Sequence, residues 1–212
     1  MNLRRRVALL ATHPIQYHWP WYQALAQQAE LDFKVFYALL PNPQQQGKGF
    51  NKAFQWDIPL LEGYAWEALP NIAPRPGLGH FWGTKTRGLV RALRGYDAVI
   101  LTGWNSYFLW QGLLAARYLN IPCLVRGESN DLRPRAWRTR WVHQALLRQY
   151  AAFLVIGAAN RRFYQGYGVP PNRLFACPYF VDNHRFAAQH ALADPHRAQE
   201  RAPWGLPEDA VC

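Results

Sequence analysis

Four polar clusters with chemistry to offer stand directly behind short apolar runs. "THPIQYHWPWY" (12–22) supplies His13, Gln16, Tyr17 and His18 between Pro14 and Pro20. "GWNSYF" (103–108) adds Trp104 and Asn105, "RGESND" (126–131) adds Arg126, Glu128 and Ser129, and "GAANRRFY" (157–164) is the fourth. A guanidinium at a strand end can grip a phosphate or carboxylate in bidentate fashion, and a glutamate and neutral imidazoles can orient or deprotonate a hydroxyl. Pro14 biases His13 to an extended backbone, and Pro20 suits the first turn of the next helix, where its missing N–H costs nothing. The loop is thereby stiffened beside a helix N-terminus, which favours anions. Taken singly, His13 and His18 are equally well read as satisfying backbone carbonyls.

Other chemistries lose their specific support. No G-x-G-x-x-G comes after the first apolar run, and the P-loop, G-x-S-x-G and H-E-x-x-H patterns are missing from the 212 residues. Cys123, Cys177 and Cys212 are widely spaced, which suggests neither a disulfide framework nor a metal site and fits a reducing cytoplasm. The opening "MNLRRRVALLATHP" imitates a signal peptide, but Val7–Ala11 is too short for an apolar h-region. The longest apolar run, "AAFLVIGAA" (151–159), falls well short of a membrane span.

The clusters need a scaffold to bring them together. Strand-like runs recur at 6–12, 32–40, 96–103, 122–127, 153–158 and 173–178, mostly separated by segments of helical spacing. Their continuous rather than alternating hydrophobicity suits strands covered on both faces, so the expected fold is a Rossmann-like, doubly wound parallel α/β sheet. In such a sheet, ligands sit beyond the carboxyl ends of the strands, near the switch in strand order. The spacing predicts a helix over about 84–94 with Arg87, Arg91 and Arg94 outward and Leu89 and Leu93 inward. In 133–150, arginines flank a ridge containing Trp137 and Trp141, which suits either a membrane surface or core packing with snorkelling arginines. The proline- and glycine-bearing stretch 41–83 reads as a long functional excursion anchored by Phe50, Phe54, Trp56, Phe81 and Trp82.

Half of the residues are hydrophobic and 17% are charged, which implies a packed core rather than disorder. The formal net charge of +11 makes the surface attractive to phosphates, anionic lipid or nucleic acid without naming a partner, and a solvated basic face is the plainer account of it.

The segments "HPIQYHWPWYQAL", "GFNKAFQWDIPLLEGYAWEAL" (49–69), "RGES" (126–129) and "YGVPPNRLFACPYFVDNHRF" (167–186) resemble the N-terminal half of a family 4 (group 1) glycosyltransferase of the GT-B fold. The last segment is the most telling, with Val181, Asp182 and Phe186 placed as in relatives before the linker to a second domain. "WGLPEDAVC" (204–212) is similar to the first residues of that domain. The resemblance implies a Rossmann-like acceptor-binding domain over 1–180, a linker over 181–203, and from 204–212 the start of a truncated nucleotide-sugar-binding domain.

It further implies transfer of a sugar, with retention at the anomeric carbon, from a nucleotide-sugar co-substrate to a saccharide or lipid-linked saccharide acceptor. No metal and no resident cofactor are required, and the fragment alone is expected to be inactive. Glu128 stands where many relatives carry a histidine and takes the catalytic role together with His13. Gln16, Tyr17, His18, Trp104, Asn105, Arg126 and Ser129 are the acceptor-binding candidates, and Asp182 and Asn183 belong to the linker at the cleft. "HPIQYH" replaces the glycine-rich turn of many relatives, and Tyr179-Phe180 replaces their Asn-Gly. The expected location is cytoplasmic, with room for peripheral contact at the inner membrane face, and the missing half is supplied by further sequence or a separate subunit. The alternative reading is a non-catalytic module for an anionic polymer or nucleic acid, which lacks any recognised nucleic-acid motif.

Overall fold

A computed structural model describes residues 4–46, 52–132 and 135–207. Seven strands form one sheet in the order β3-β2-β1-β4-β5-β6-β7. They are β1 (Arg5–Ala11), β2 (Leu31–Tyr37), β3 (Ala65–Ala68), β4 (Ala98–Leu101), β5 (Cys123–Val125), β6 (Ala152–Val155) and β7 (Leu174–Ala176). Every pairing is parallel. The helices are α1 (Trp19–Ala26), α2 (Pro43–Gln46), α3 (Leu89–Ala92), α4 (Tyr107–Tyr118), α5 (Trp137–Leu147), α6 (Ala158–Gly166), α7 (Asn183–Ala193) and α8 (Arg197–Arg201). This is the expected doubly wound α/β architecture, with β1 between β2 and β4 so that the strand order reverses beside it.

Burial explains why the apolar runs became strands. Leu9, Leu10, Val35, Val99, Leu101, Val125 and Phe153 are sealed from water, as continuous hydrophobic strands covered on both faces must be. Helix α4 packs one side through Phe108, Leu109, Leu113 and Ala116, while Trp21 and Tyr22 of α1 are buried on their own account. The arginines opening β1 are tied at the amino rim, where Arg6 meets Asp32 at 3.3 Å and Arg5 meets Asp97 at 4.0 Å.

Three expectations change. The sheet gains an edge strand, β3, inside the 41–83 excursion; all four of its residues are exposed, so it carries no apolar signature. It is held instead by backbone pairing to β2 and by Lys34 Nζ at 2.7 Å from Glu67. The helix expected at 84–94 shrinks to α3. The Gln111 side chain binds both the N–H and the carbonyl of Thr86 at 2.9 Å, which holds that residue extended, and Gly88 then turns at φ 82°. The inward Leu89 and Leu93 and the outward arginines are as the spacing predicts. The tryptophan ridge of α5 is not core: Trp137 and Trp141 are 67% and 69% exposed. Of the apolar anchors in the excursion, Phe54 meets Trp56 and Phe81 meets Trp82, each edge to face, while Phe50 lies outside the described residues.

The chain divides into two compact units, Met1–Tyr179 and Phe180–Cys212. In the second, the Asp182 carboxylate caps α7 by accepting from the Arg185 N–H at 3.0 Å, and Asn183 is the first helical residue. The similarity noted for 208–212 falls outside the described residues, as does Cys212. No helix among the described residues is long and apolar enough to cross a membrane.

Candidate functional site

Sheet register brings the polar clusters to one rim. Leu10 pairs with Leu101, and Leu101 with Val125, so β1, β4 and β5 end level with one another. The ladder continues one step further, through Thr102 N–H to the Leu10 carbonyl (3.1 Å) and Arg126 N–H to the Leu101 carbonyl (2.8 Å). The loops that leave these three strand ends therefore wall a common cavity of about 400 Å³ at the reversal of strand order, lined by Thr12, His13, Ile15 and His18, by Thr102–Asn105, and by Arg126–Asn130 with Arg135. A second cavity, about 340 Å³, lies between Pro14 and residues of 40–46 and 54–62 and is walled mainly by prolines, leucines and aromatic rings. Convergent hydrogen-bonding and charged groups single out the first.

Arg126 organises this site. It is only 3% exposed, yet among the described residues no carboxylate lies within ion-pair distance of it. Its Nη1 donates to His18 Nε2 at 3.2 Å and its Nη2 to the Pro178 carbonyl at 3.3 Å, while Trp21 and Tyr179 offer ring faces at 4.9 and 5.0 Å. Because a guanidinium only donates, His18 Nε2 must be the bare nitrogen, so the ring proton sits on Nδ1 and is directed to the Tyr22 hydroxyl at 3.1 Å. Burial, and then the charge of Arg126, push the His18 pKa down to about 3. His18 is thus a neutral acceptor that holds Arg126, rather than a second cation. His13, bonded through Nδ1 to Thr12 Oγ1 at 3.0 Å, is lowered to about 4 by burial. Both imidazoles are uncharged at neutral pH, His18 already accepting from Arg126 and His13 able to accept a hydrogen bond through its remaining nitrogen.

The β5 loop is pinned from below. Asn160, 3% exposed at the start of α6, donates to the Ser129 carbonyl at 2.6 Å and accepts from Ile156 N–H at 3.3 Å. Gly127 passes so close to Trp104 that a Cβ there would lie 3.2 Å from the indole and 3.3 Å from the Tyr164 hydroxyl. Past this constriction Glu128 is exposed, and desolvation and then the neighbouring Glu128 carboxylate raise the Tyr179 pKa to about 12. Asn105 is exposed on the β4 side, and the Trp104 carbonyl is fixed by Trp110 Nε1 at 2.9 Å.

The structure places His13, His18, Trp104, Asn105, Arg126, Glu128 and Ser129 around one cavity. Gln16 and Tyr17 share that rim but are not among the lining residues; Tyr17 instead packs edge-on against Tyr179, with ring centroids 6.0 Å apart. Asp182 and Asn183 belong to the second unit. Reasoning from sequence missed the Tyr22 partner of His18, the ring faces of Trp21 and Tyr179 on Arg126, and the brace Asn160. The four-residue spacing of His18 and Tyr22 on a helix was a usable signal for the first; nothing local announces the others.

Residues 21–180 match the glycosyl transferase 4-like domain model. The chain belongs to this glycosyltransferase family. None of the curated proteins shows significant similarity to it. Among solved structures, UDP-GlcNAc 2-epimerase from Neisseria meningitidis bound to UDP-GlcNAc aligns with a TM-score of 0.57 at 13% identity, over 97% of this chain and 55% of that one. A second UDP-N-acetylglucosamine 2-epimerase gives 0.55 at 14% identity, over 82% and 48%. Anabaena Alr3699/HepE in complex with UDP and glucose gives 0.52 at 11% identity, over 92% and 51%. These likenesses establish the fold, that of the N-terminal half of a GT-B glycosyltransferase, and this glycosyltransferase domain spans about half the length of each neighbour.

Proposed function

We propose that the domain is the acceptor-binding half of a retaining glycosyltransferase that uses a nucleotide-sugar donor, with a saccharide or lipid-linked saccharide as acceptor. The observation that carries this reading is the 400 Å³ cavity at the reversal of strand order, in a chain whose family is glycosyl transferase 4-like. The bound ligands of the structural neighbours, UDP and glucose in one and UDP-GlcNAc in another, support a nucleotide-sugar as co-substrate.

The site suits hydroxyl chemistry. Neutral His13 and the Glu128 carboxylate accept hydrogen bonds from acceptor hydroxyls, aligning one of them for attack, and Asn105 and the Ser129 hydroxyl can read others. Arg126 and the amino ends of α1 and α4, which begin at the same rim, favour negative charge and would stabilise the departing diphosphate. On the retaining path, the donor phosphate itself helps to take the acceptor proton on the same face, so this half need supply no nucleophile.

A saccharide screen with the chain alone tests the reading. Binding should discriminate between epimers and change little between low and physiological salt, because sugar recognition rests on short hydrogen bonds. A module for nucleic acid or an anionic polymer would tolerate many sequences and weaken steeply as salt rises. The second pattern would overturn the proposal.

A further inference from the structure

Helix α5 turns its core side inward through Leu146 and Leu147, and its opposite side is exposed. On that side Trp137 and Trp141 are 67% and 69% exposed. At α-helical spacing these two rings and Arg148 lie within about 40° of one another, and Arg138 and Arg140 flank the stripe on either side. Next to it, between α5 and α6, a cavity of about 140 Å³ is walled by Arg135, Arg140 and Arg162 against one carboxylate, Asp131, with Phe163 and Tyr167 behind. The rings hold the guanidiniums in place: Arg135 lies 4.9 Å from the centroid of Phe163, Arg140 5.3 Å from that of Tyr167, and Arg138 5.4 Å from that of Trp137.

An indole stripe and a small basic cavity on one face match two different layers of a lipid headgroup region. Tryptophan settles where headgroup meets acyl chain, and guanidiniums pair with the phosphates above it. The cavity is too small for a saccharide yet of a size for a phosphate group. A single-stranded nucleic acid would need open ring faces for stacking, and here guanidiniums already occupy a face of Trp137, Phe163 and Tyr167. The formal charge of +11 supplies long-range attraction to an anionic surface.

We propose that the α5–α6 face docks the protein on an anionic phospholipid bilayer, with Trp137 and Trp141 inserted at headgroup level and Arg135, Arg140 and Arg162 on lipid phosphate. Arg135 also lines the larger cavity, so docking brings that cavity to the bilayer surface. The docking does not depend on the glycosyl-transfer reading.

Co-sedimentation of the full chain with vesicles tests it. The protein should pellet with phosphatidylcholine vesicles containing phosphatidylglycerol and stay largely in solution with phosphatidylcholine alone. The double variants W137A/W141A and R140Q/R162Q should each lower partitioning on the order of tenfold. R91Q/R117Q, which removes the same charge from other exposed positions, should change it less than about twofold. Brominated lipids should quench wild-type tryptophan fluorescence, a readout that needs no variant. Failure to pellet with the anionic vesicles, equal losses in the control pair, absence of quenching, or retention of single-stranded RNA in place of vesicles by the same residues would each overturn the proposal.

Discussion

His18 and Arg126 form a pair in which one partner's neutrality maintains the other's position. His18 has a folded-state pKa near 3 and His13 one near 4, each below the ordinary 6.5. Between those values and 6.5 the unfolded chain binds more protons than the folded one, so stability is full above about pH 6.5 and declines as pH falls. At pH 5 each histidine should cost about 2 kcal/mol relative to neutral pH. Urea unfolding at pH 7.5 and pH 5 should show the decline, and His18→Gln, which keeps an acceptor for Arg126 without a titrating ring, should remove roughly half of it. An unchanged slope in that variant would mean that folding does not lower the pKa of His18. Glu128 and His13 carry a different expectation. In an enzyme that includes the nucleotide-binding half, Glu128→Gln and His13→Ala should lower turnover at least about tenfold. Glu128→Gln should leave stability within about 0.5 kcal/mol, because the side chain is exposed. Parallel losses of turnover and stability would make Glu128 structural.

At the scale of elements, the site depends on how closely helices seat on the sheet. Gly112 of α4 faces β1 and β4 so closely that a Cβ would fall 2.3 Å from Leu10 Cδ1 and 3.0 Å from Leu101 Cδ2. Both leucines are sealed in the core and have little room to retreat. Gly112→Ala should therefore destabilise by about 1–2 kcal/mol, the overpacking cost outweighing the gain in helix propensity. A rise in the urea midpoint would show slack at this contact. Asn160→Ala removes the tether between α6 and the β5 loop and should cost about 1–3 kcal/mol while loosening Glu128 and Ser129, visible as faster amide exchange over 127–131. Six of the seven strands were legible because each is a continuous apolar run. β3 was not, because an edge strand exposed along its length shows no hydrophobic pattern. The shortening of α3 was equally hidden, since the competing bonds to Thr86 come from Gln111, far along the chain.

For the whole molecule, different salt responses are expected at two places. Saccharide binding in the rim cavity should hold steady as ionic strength rises, while vesicle binding through α5 and α6 should fall, since surface attraction is screened within roughly 10 Å at 0.1 M salt. Measuring both on one preparation would separate them, and a common salt dependence would mean that net charge rather than a built site governs both. Composition and the rhythm of apolar runs determined by themselves that this chain buries a parallel α/β sheet, and the polar residues after each run marked the rim where the candidate cavity lies. Local periodicity reports which residues must leave water, and that suffices for layers and strand ends. It does not report distances between segments far apart in sequence. Only the tertiary structure decided that Arg126 is caged by Trp21, His18 and Tyr179 with no carboxylate at ion-pair distance among the described residues, that Gln16 and Tyr17 stand outside the cavity, and that the tryptophan ridge of α5 faces outward. An amphipathic pattern fixes the angle between two faces of a helix, and the packing of its neighbours selects which face is covered.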